Sequence, residues 1–368
     1  MRRRVISLGA VAGAFVLAAG CASRSGSSGS RGDSQNPPFS AERVARYNDP
    51  LEVSRLREVA LDQLLASARS EIPQARANSI EALADAPTRL EPLIAGALKD
   101  QNAGVRSTAA LMIGRLGLRT FEAEVRPLLE DASPFVRASA IYALAKSGVS
   151  VDPSPLAGML MRDPSPRVRA HAAFLLGEMG DPSALGLLRD AARDADQRSL
   201  QLQLAEAMVK LGKTDQLEVI RAALYPSSNE ELENTALACQ IAGQLQDEGS
   251  RPSLIVLTAL KIRGQPLPAE IRLAAATALS RLGQPQGEFV ADEYYRNGNP
   301  AIRAQSAFVY AGVGRPSTLP KLEMLMGDAD ETVRVAAAAA VVRVSALPAR
   351  AAHTPVDAAE PPGGAEKP

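Results

Sequence analysis

The sequence predicts an all-α protein in which paired helices stack into a solenoid, and three regular features predict it. A hydrophobic residue followed by Arg recurs at intervals of 31 or 32 residues over much of the chain. A Gly stands twelve residues after most of these positions, where a left-handed backbone can end a helix. A short polar residue stands three residues before most of them, where it can cap the first turn. A period of this length is typical of stacked helical repeats.

The hydrophobic residue before each Arg is numbered position zero of its repeat. Six clear copies begin at Val105, Val136, Val168, Ile271, Ile302 and Val333. Spacing alone assigns two degenerate copies to Leu200 and Leu232, and a fainter copy begins near Ala75. Seven extra residues before Ile271 predict a loop or a change of superhelical twist. A second apolar segment, such as residues 182–193, follows each Gly, so each repeat is a helical hairpin that buries its apolar face by stacking on its neighbours.

The D-x-x-x-x-V-R-x-x-A-A-x-x-L-G pattern at this spacing resembles HEAT repeats, specifically the short kind of the phycobilisome lyases. The resemblance covers about residues 46–346 and implies an α-α superhelix, a HEAT-like solenoid. It also implies a structural ladder of Asp and Arg side chains that ties successive units together. The ladder residues are Asp100, Arg106, Asp131, Arg137, Asp163, Arg169, Arg272, Arg303, Asp328 and Arg334.

One face of the repeated helix is a candidate partner-binding surface. The helical period puts positions 2, 3, 6 and 10 opposite the apolar arc of positions 0, 4, 5, 8 and 11. In solenoids that this chain resembles, this helix lines the concave side, so we expect those positions to form an open floor. Tyr142 and Phe174 are adjacent aromatic residues there, and exposed apolar groups often mark a partner site. Burial between tightly curved neighbours is the alternative. The candidate residues are Leu111, Arg115, Tyr142, Lys146, His171, Phe174, Glu178, Lys210, Arg281 and Phe308.

The first part of the chain predicts export and a lipid anchor. Residues 1–20 combine three Arg with an apolar stretch too short to span a bilayer, as in a signal peptide. Residues 17–21, Leu-Ala-Ala-Gly-Cys, resemble a bacterial lipobox, which implies acylation of Cys21, with palmitate among the acyl groups. Ala22 and Ser23 follow instead of Asp, which in lipoproteins favours the outer membrane, here facing the periplasm. Residues 21–45 are expected to be the lipidated Cys and a flexible linker, and residues 347–368 a disordered tail.

Composition and motifs favour binding over catalysis. Lys and Arg number 41, as do Asp and Glu, and no basic stripe predicts nucleic-acid binding. The chain has two His and two Cys and no phosphate loop, nucleophile elbow or zinc-protease motif, so we expect no catalytic residue, metal or cofactor. The expected function is a lipid-anchored scaffold for a protein or peptide partner in the cell envelope. Two alternatives remain: an enzyme of the bilin-lyase type, by the same resemblance, and an envelope component that self-associates through the ends of its array.

Overall fold

The computed structural model describes residues 39–226, 228, 231–262 and 264–346. The predicted signal peptide, Cys21, the linker up to residue 38 and the tail 347–368 lie outside the described residues. The regular structure of the described chain is helical, with short 3-10 turns beside the α-helices and one short hairpin, which confirms the predicted all-α solenoid.

Nineteen α-helices follow one another in the described part of the chain. They are α1 (Ala41–Ala45), α2 (Pro50–Ser67), α3 (Pro73–Ala82), α4 (Pro87–Ala97), α5 (Ala103–Leu116), α6 (Glu122–Val125), α7 (Pro134–Lys146), α8 (Ser154–Arg162), α9 (Pro166–Met179), α10 (Leu185–Arg193), α11 (Arg198–Lys210), α12 (Leu217–Ala222), α13 (Leu232–Leu245), α14 (Arg251–Ala259), α15 (Ala269–Arg281), α16 (Glu288–Tyr294), α17 (Pro300–Val313), α18 (Leu319–Met326) and α19 (Glu331–Ala346). The strands β1 (Lys261–Ile262) and β2 (Gln265–Pro266) pair antiparallel between α14 and α15, which is where the extra residues before Ile271 are accommodated.

The odd-numbered helices from α3 to α19 form an inner layer, and the even-numbered helices pack outside them. Each inner helix packs on the next inner helix along the chain, and the last one, α19, packs on α2 and α3. The nine inner helices therefore close into a ring. The sequence predicted an open, curved array, so closure is a feature that the repeat pattern did not reveal.

Polar contacts cross the seam where the first and last units meet. The Gln63 amide donates to the Met326 carbonyl at 3.0 Å, and Ser70 Oγ donates to the Glu331 carboxylate at 2.8 Å. Arg43 in α1 forms an ion pair with Glu323 at 3.1 Å. The first and last units of the array thus cover each other.

Local signals at the helix ends explain the hairpins. Asn102 and Asn299 accept hydrogen bonds from the amides of Gly104 and Ala301, at 2.8 and 3.0 Å, as predicted for N-caps. The ends of α5, α9 and α17 are glycines in the left-handed region, for example Gly117 at φ 66°. Ser133 and Ser165 form no side-chain cap, contrary to expectation, although both precede a helix. The Asp two residues earlier accepts the Ser amide, as Asp131 does from Ser133 at 2.8 Å, and Asp100 accepts the Asn102 amide in the same way.

The degenerate repeat at α13 has a different register from the one assigned by spacing. Its left-handed C-terminal residue is Gln246, at φ 57°. Counting back twelve residues puts position zero at Asn234, two residues after Leu232. In this register Ala238 falls at position 4 and is fully buried, as is its counterpart Ala109 in α5. The missing glycine signal caused the error.

Small residues allow the inner helices to approach closely. A Cβ atom added at Gly177 in α9 would lie 2.8 Å from the Cα of Ala207 in α11, and one at Gly243 in α13 would lie 2.8 Å from the Cα of Ala278 in α15. Backbones in such contact leave no room for a methyl group. The glycines at these crossings therefore set the helix spacing in the ring.

Candidate binding surface inside the ring

Side chains at positions 6 and 10 of the inner helices meet inside the ring. The charges of Arg115, Arg281 and Arg343, on α5, α15 and α19, all act on Glu81 in α3. Since α15 is not a ring neighbour of α3, the charge of its arginine acts on Glu81 across the interior. Most side chains in these two rows are half-buried. The predicted concave floor is therefore the inner wall of a closed ring.

Tyr142 and Leu111 differ from the expected exposure. Tyr142 is only 2% exposed and Leu111 only 9% exposed, although both occupy position 6. A Cβ added at Gly114 would lie 2.5 Å from the Tyr142 ring, so this glycine of the neighbouring helix provides the space that the ring fills. Burial between curved neighbours, the alternative left open by the sequence, is what the structure has for these two residues.

Positions 2 and 3 also contribute less to an open surface than their helical angle indicates. Ser139, Leu273 and Val335 occupy these positions and are fully buried. The inner helices touch their ring neighbours on both flanks, so the apolar arc of each helix is wider than in an isolated hairpin. The accessible part of the wall narrows to positions 6 and 10.

Phe174 lies half-buried beside a compact group of charges. Lys210 Nζ is 4.9 Å from the centroid of the Phe174 ring, a cation–π geometry. The same ammonium contacts Glu178 at 2.7 Å and Glu206 at 2.6 Å. Burial lowers the pKa of Lys210, but the two carboxylates outweigh it and raise the pKa overall. These four residues, named the Lys210 cluster, link α9 and α11 on the inner wall.

His171 is a half-buried hydrogen-bonding residue, whereas the sequence predicted an exposed position. Its Nε2 lies 3.1 Å from Ser139 Oγ, which lies 2.9 Å from Ser107 Oγ. The imidazole also lies between Phe135 and Phe174, with ring centroids 5.4 and 6.3 Å away. Burial lowers the pKa of His171 to about 4, so the imidazole is neutral near pH 7 and joins three neighbouring inner helices.

The remaining candidates lie at three places. Lys146, at the end of α7, is exposed to solvent. Phe308 is half-buried on the inner face of α17. Arg115 and Arg281 lie in the charged group around Glu81. The ring therefore brings Arg115, Phe174, Glu178, Lys210 and Arg281 to one interior. Tyr142 and Leu111 are instead buried between neighbouring helices.

The Asp and Arg ladder is formed at some joints and replaced at others. Arg106 donates two hydrogen bonds to Asp131, at 2.8 and 2.9 Å, and Arg303 donates two to Asp328, both at 2.8 Å. These bonds lower the pKa of both carboxyls. The same guanidinium also donates to two carbonyls of the loop before its own helix. Each formed rung thus ties one repeat to the next.

Other ladder residues have different partners. Arg137 and Arg334 donate to carbonyls of their own preceding loops, and Arg169 lies 4.0 Å from Asp196. Asp163 accepts the amide of Ser165. Arg272 instead donates to Glu293 at 2.8 and 2.9 Å and to Tyr294 Oη at 2.6 Å. A further rung joins Arg76 to Asp100 at 2.7 Å; it was not predicted, because its repeat has the faintest pattern.

Neither a metal site nor a membrane span is found in the described ranges. No group of three or more His, Cys, Asp or Glu there could hold a metal ion. Among the same residues, no helix is both long enough and apolar enough to cross a bilayer. Cys239 is buried, and burial raises the pKa of its thiol to about 12, so it is a packing residue.

Comparison with known families agrees with this architecture. A family model described as HEAT repeats matches residues 90–160 and 153–239. Over these residues the chain is similar to HEAT repeats. Helical hairpins built from the same inner and outer layers continue on both sides of the matched region, from α3 to α19.

Several solved structures are similar to the chain. Human deoxyhypusine hydroxylase in complex with glycerol is 20% identical, with 72% of this chain and 96% of that chain covered and a TM-score of 0.37. The complex of CpcE and CpcF of phycocyanin lyase from Nostoc sp. PCC7120 is 20% identical, with 66% and 91% covered and a TM-score of 0.35. No curated protein sequence matches the chain.

Proposed function

We propose that this HEAT-repeat scaffold is a non-catalytic, lipid-anchored binding protein whose ring interior receives a protein or peptide segment in the cell envelope. The observation that carries the proposal is closure of the ring. Closure directs side chains at positions 6 and 10 of most repeats to a shared interior, and it leaves Phe174 and Phe308 partly accessible there. Aromatic anchors beside charged side chains are typical of partner-binding surfaces.

Closure also bears on the self-association alternative. The first and last units are joined by the Gln63, Ser70 and Arg43 contacts, so the described residues leave no free end of the array on which a second copy could stack. A binding role for the interior is therefore more consistent with the closed ring than end-to-end assembly is.

A photoreactive amino acid at Phe174 tests the interior directly. On illumination of intact cells, we expect a discrete cross-linked species, because the Phe174 side chain faces the interior that the partner enters. The matched control is Phe289, which is 47% exposed on α16 in the outer layer. Cross-links of equal yield and identity from both positions would contradict an interior site.

The proposed lipid anchor is tested at Cys21. Cells fed a labelled palmitate analogue are expected to label the wild-type protein and not the Cys21→Ser variant, and the variant is expected to leave the membrane fraction. The acyl chains contribute about 0.8 kcal/mol per buried methylene, so several chains hold the protein at a membrane. Undiminished labelling of Cys21→Ser would show that this cysteine is not the acylated residue.

A further inference from the structure

A second group of charges lies in the ring interior next to the Lys210 cluster, whose Glu178 also acts on Arg115. The charges of Arg115, Arg281 and Arg343, on three different inner helices, all act on Glu81 in α3. Asp85, in the turn after α3, lies 3.7 Å from Arg343 Nε. Closure brings Arg281 and Arg343 near Glu81, since α15 and α19 lie far along the chain from α3, whereas Arg115 lies on the neighbouring helix α5.

Arg281 is the member of this group that lacks a partner. Its guanidinium forms no hydrogen bond or ion pair within the described residues, although its side chain is partly buried. The aliphatic part of the Arg281 side chain packs close to α13. A Cβ atom added at Gly243 would lie 3.4 Å from Arg281 Cδ. Burial, together with the positive charge of Arg343, lowers the pKa of Arg281 to about 10. A cation in this situation is costly unless an anion compensates it.

The carboxylates of the group do not supply that compensation near neutral pH. Burial raises the pKa of Glu81 to about 8, in spite of the three arginines that lower it. Glu81 is therefore mostly protonated at pH 7. Asp85 lies against Arg343, which leaves Arg281 facing the interior with an uncompensated charge.

We propose that Arg281, with Arg343 and Arg115, forms a binding site for an oxyanion, a carboxylate or phosphate group that enters through the ring interior. A guanidinium matches the two oxygens of such a group with parallel N–H donors. Glu81 sits opposite and acts as a neutral donor when protonated and as a competing anion when ionised. The site does not depend on the partner proposed for Phe174.

Sulfate is a suitable probe, because its charge is constant over the pH range of interest. Calorimetric titration of the full chain at pH 7 and fixed ionic strength is expected to show saturable binding of sulfate. Arg281→Gln is expected to weaken it about tenfold or more, the effect of losing a charged hydrogen-bond donor. Arg251→Gln, at an exposed arginine on the outer helix α14, is the matched control and is expected to bind as the wild type does.

The pH dependence separates this site from general attraction of anions. Sulfate binding is expected to weaken as the pH rises through 8, because Glu81 ionises there, and Glu81→Gln is expected to remove that dependence. Arg281→Lys keeps the positive charge and serves as a second variant in case Arg281→Gln fails to fold. It is expected to bind sulfate more weakly than the wild type, because the paired N–H donors are lost. Equal sulfate affinity in the wild type and Arg281→Gln, or no binding by the wild type, would overturn the proposal.

Parallel titrations with inorganic phosphate and with a glutamate-rich peptide distinguish the sources of the oxyanion. Binding of phosphate alone that is lost in Arg281→Gln assigns a small-anion site. Binding of the peptide that is lost in the same variant assigns a carboxylate carried by a partner. Either result supports the proposal, whereas binding of both probes that is insensitive to Arg281→Gln contradicts it.

Discussion

Replacing Lys210 with Met is expected to lower the free energy of unfolding by about 3–5 kcal/mol, the typical effect of removing one partner from a buried charge group. Lys210 Nζ contacts Glu178 and Glu206 at 2.7 and 2.6 Å, and Glu206 is only 6% exposed. Without the ammonium, two carboxylates that shared one cation would face each other on the inner wall. Chemical denaturation measured by circular dichroism would quantify the loss.

The matched control for this change is Lys213→Met, at an exposed lysine just after the same helix. It is expected to change the free energy of unfolding by less than about 0.5 kcal/mol. Adding Glu206→Gln to Lys210→Met is expected to recover part of the stability, because it removes the buried uncompensated charge. A Lys210→Met protein as stable as the control would show that the cluster is not a structural link between α9 and α11.

Replacing Gly177 with Ala is expected to destabilise the ring by about 1–3 kcal/mol, the usual range for overpacking a core. The added Cβ would lie 2.8 Å from the Cα of Ala207, and a backbone atom cannot move aside without shifting α11. The gain in helix propensity from Gly to Ala, at most about 1 kcal/mol, opposes this effect without cancelling it. Thermal unfolding should show a lower midpoint than in the wild type.

Gly158→Ala provides the control for helix propensity. Gly158 lies inside the outer helix α8, and a Cβ there would meet no atom within 4 Å. This variant is expected to be unchanged or more stable by about 0.5–1 kcal/mol. If both Ala variants were stabilised alike, the close approach of α9 and α11 would be wrong.

The repeat units could be predicted from the sequence because each one carries its own signals. Asn102 and Asn299 cap helices as expected, and Gly117 ends one in the left-handed region. Where a signal is missing, as at Gln246, counting residues gave a register two positions off. Local chemistry therefore determines the hairpin, and the error is confined to a repeat with a weak pattern.

Closure could not be predicted, because it depends on the small rotation between units summed over the whole array. No single repeat contains that rotation. The same reasoning explains Tyr142, which the helical angle placed on an open face. Its burial depends on Gly114 in the neighbouring helix, and a pattern within one repeat does not include that neighbour.

The positions of some interior residues could have been predicted from the sequence. Glu81 lies six residues after Ala75, so the position-6 row could have been extended to the faint first repeat. Its importance comes from Arg281 and Arg343 on the opposite side of the seam, which only the closed ring brings near. Position on a helix face was thus predictable, and the partners across the interior were not.

Covalent linkage across the seam tests ring closure most directly. Cysteines at Ser70 and Glu331, whose side chains are 2.8 Å apart, would be treated with a short bismaleimide in a chain carrying Cys21→Ser, with the buried Cys239 retained. The closed ring predicts rapid cross-linking within single molecules at low protein concentration, and none for a control pair at Ser70 and Arg193. An unlinked Ser70 and Glu331 pair in folded, monomeric protein would show that the array is open and contradict the account.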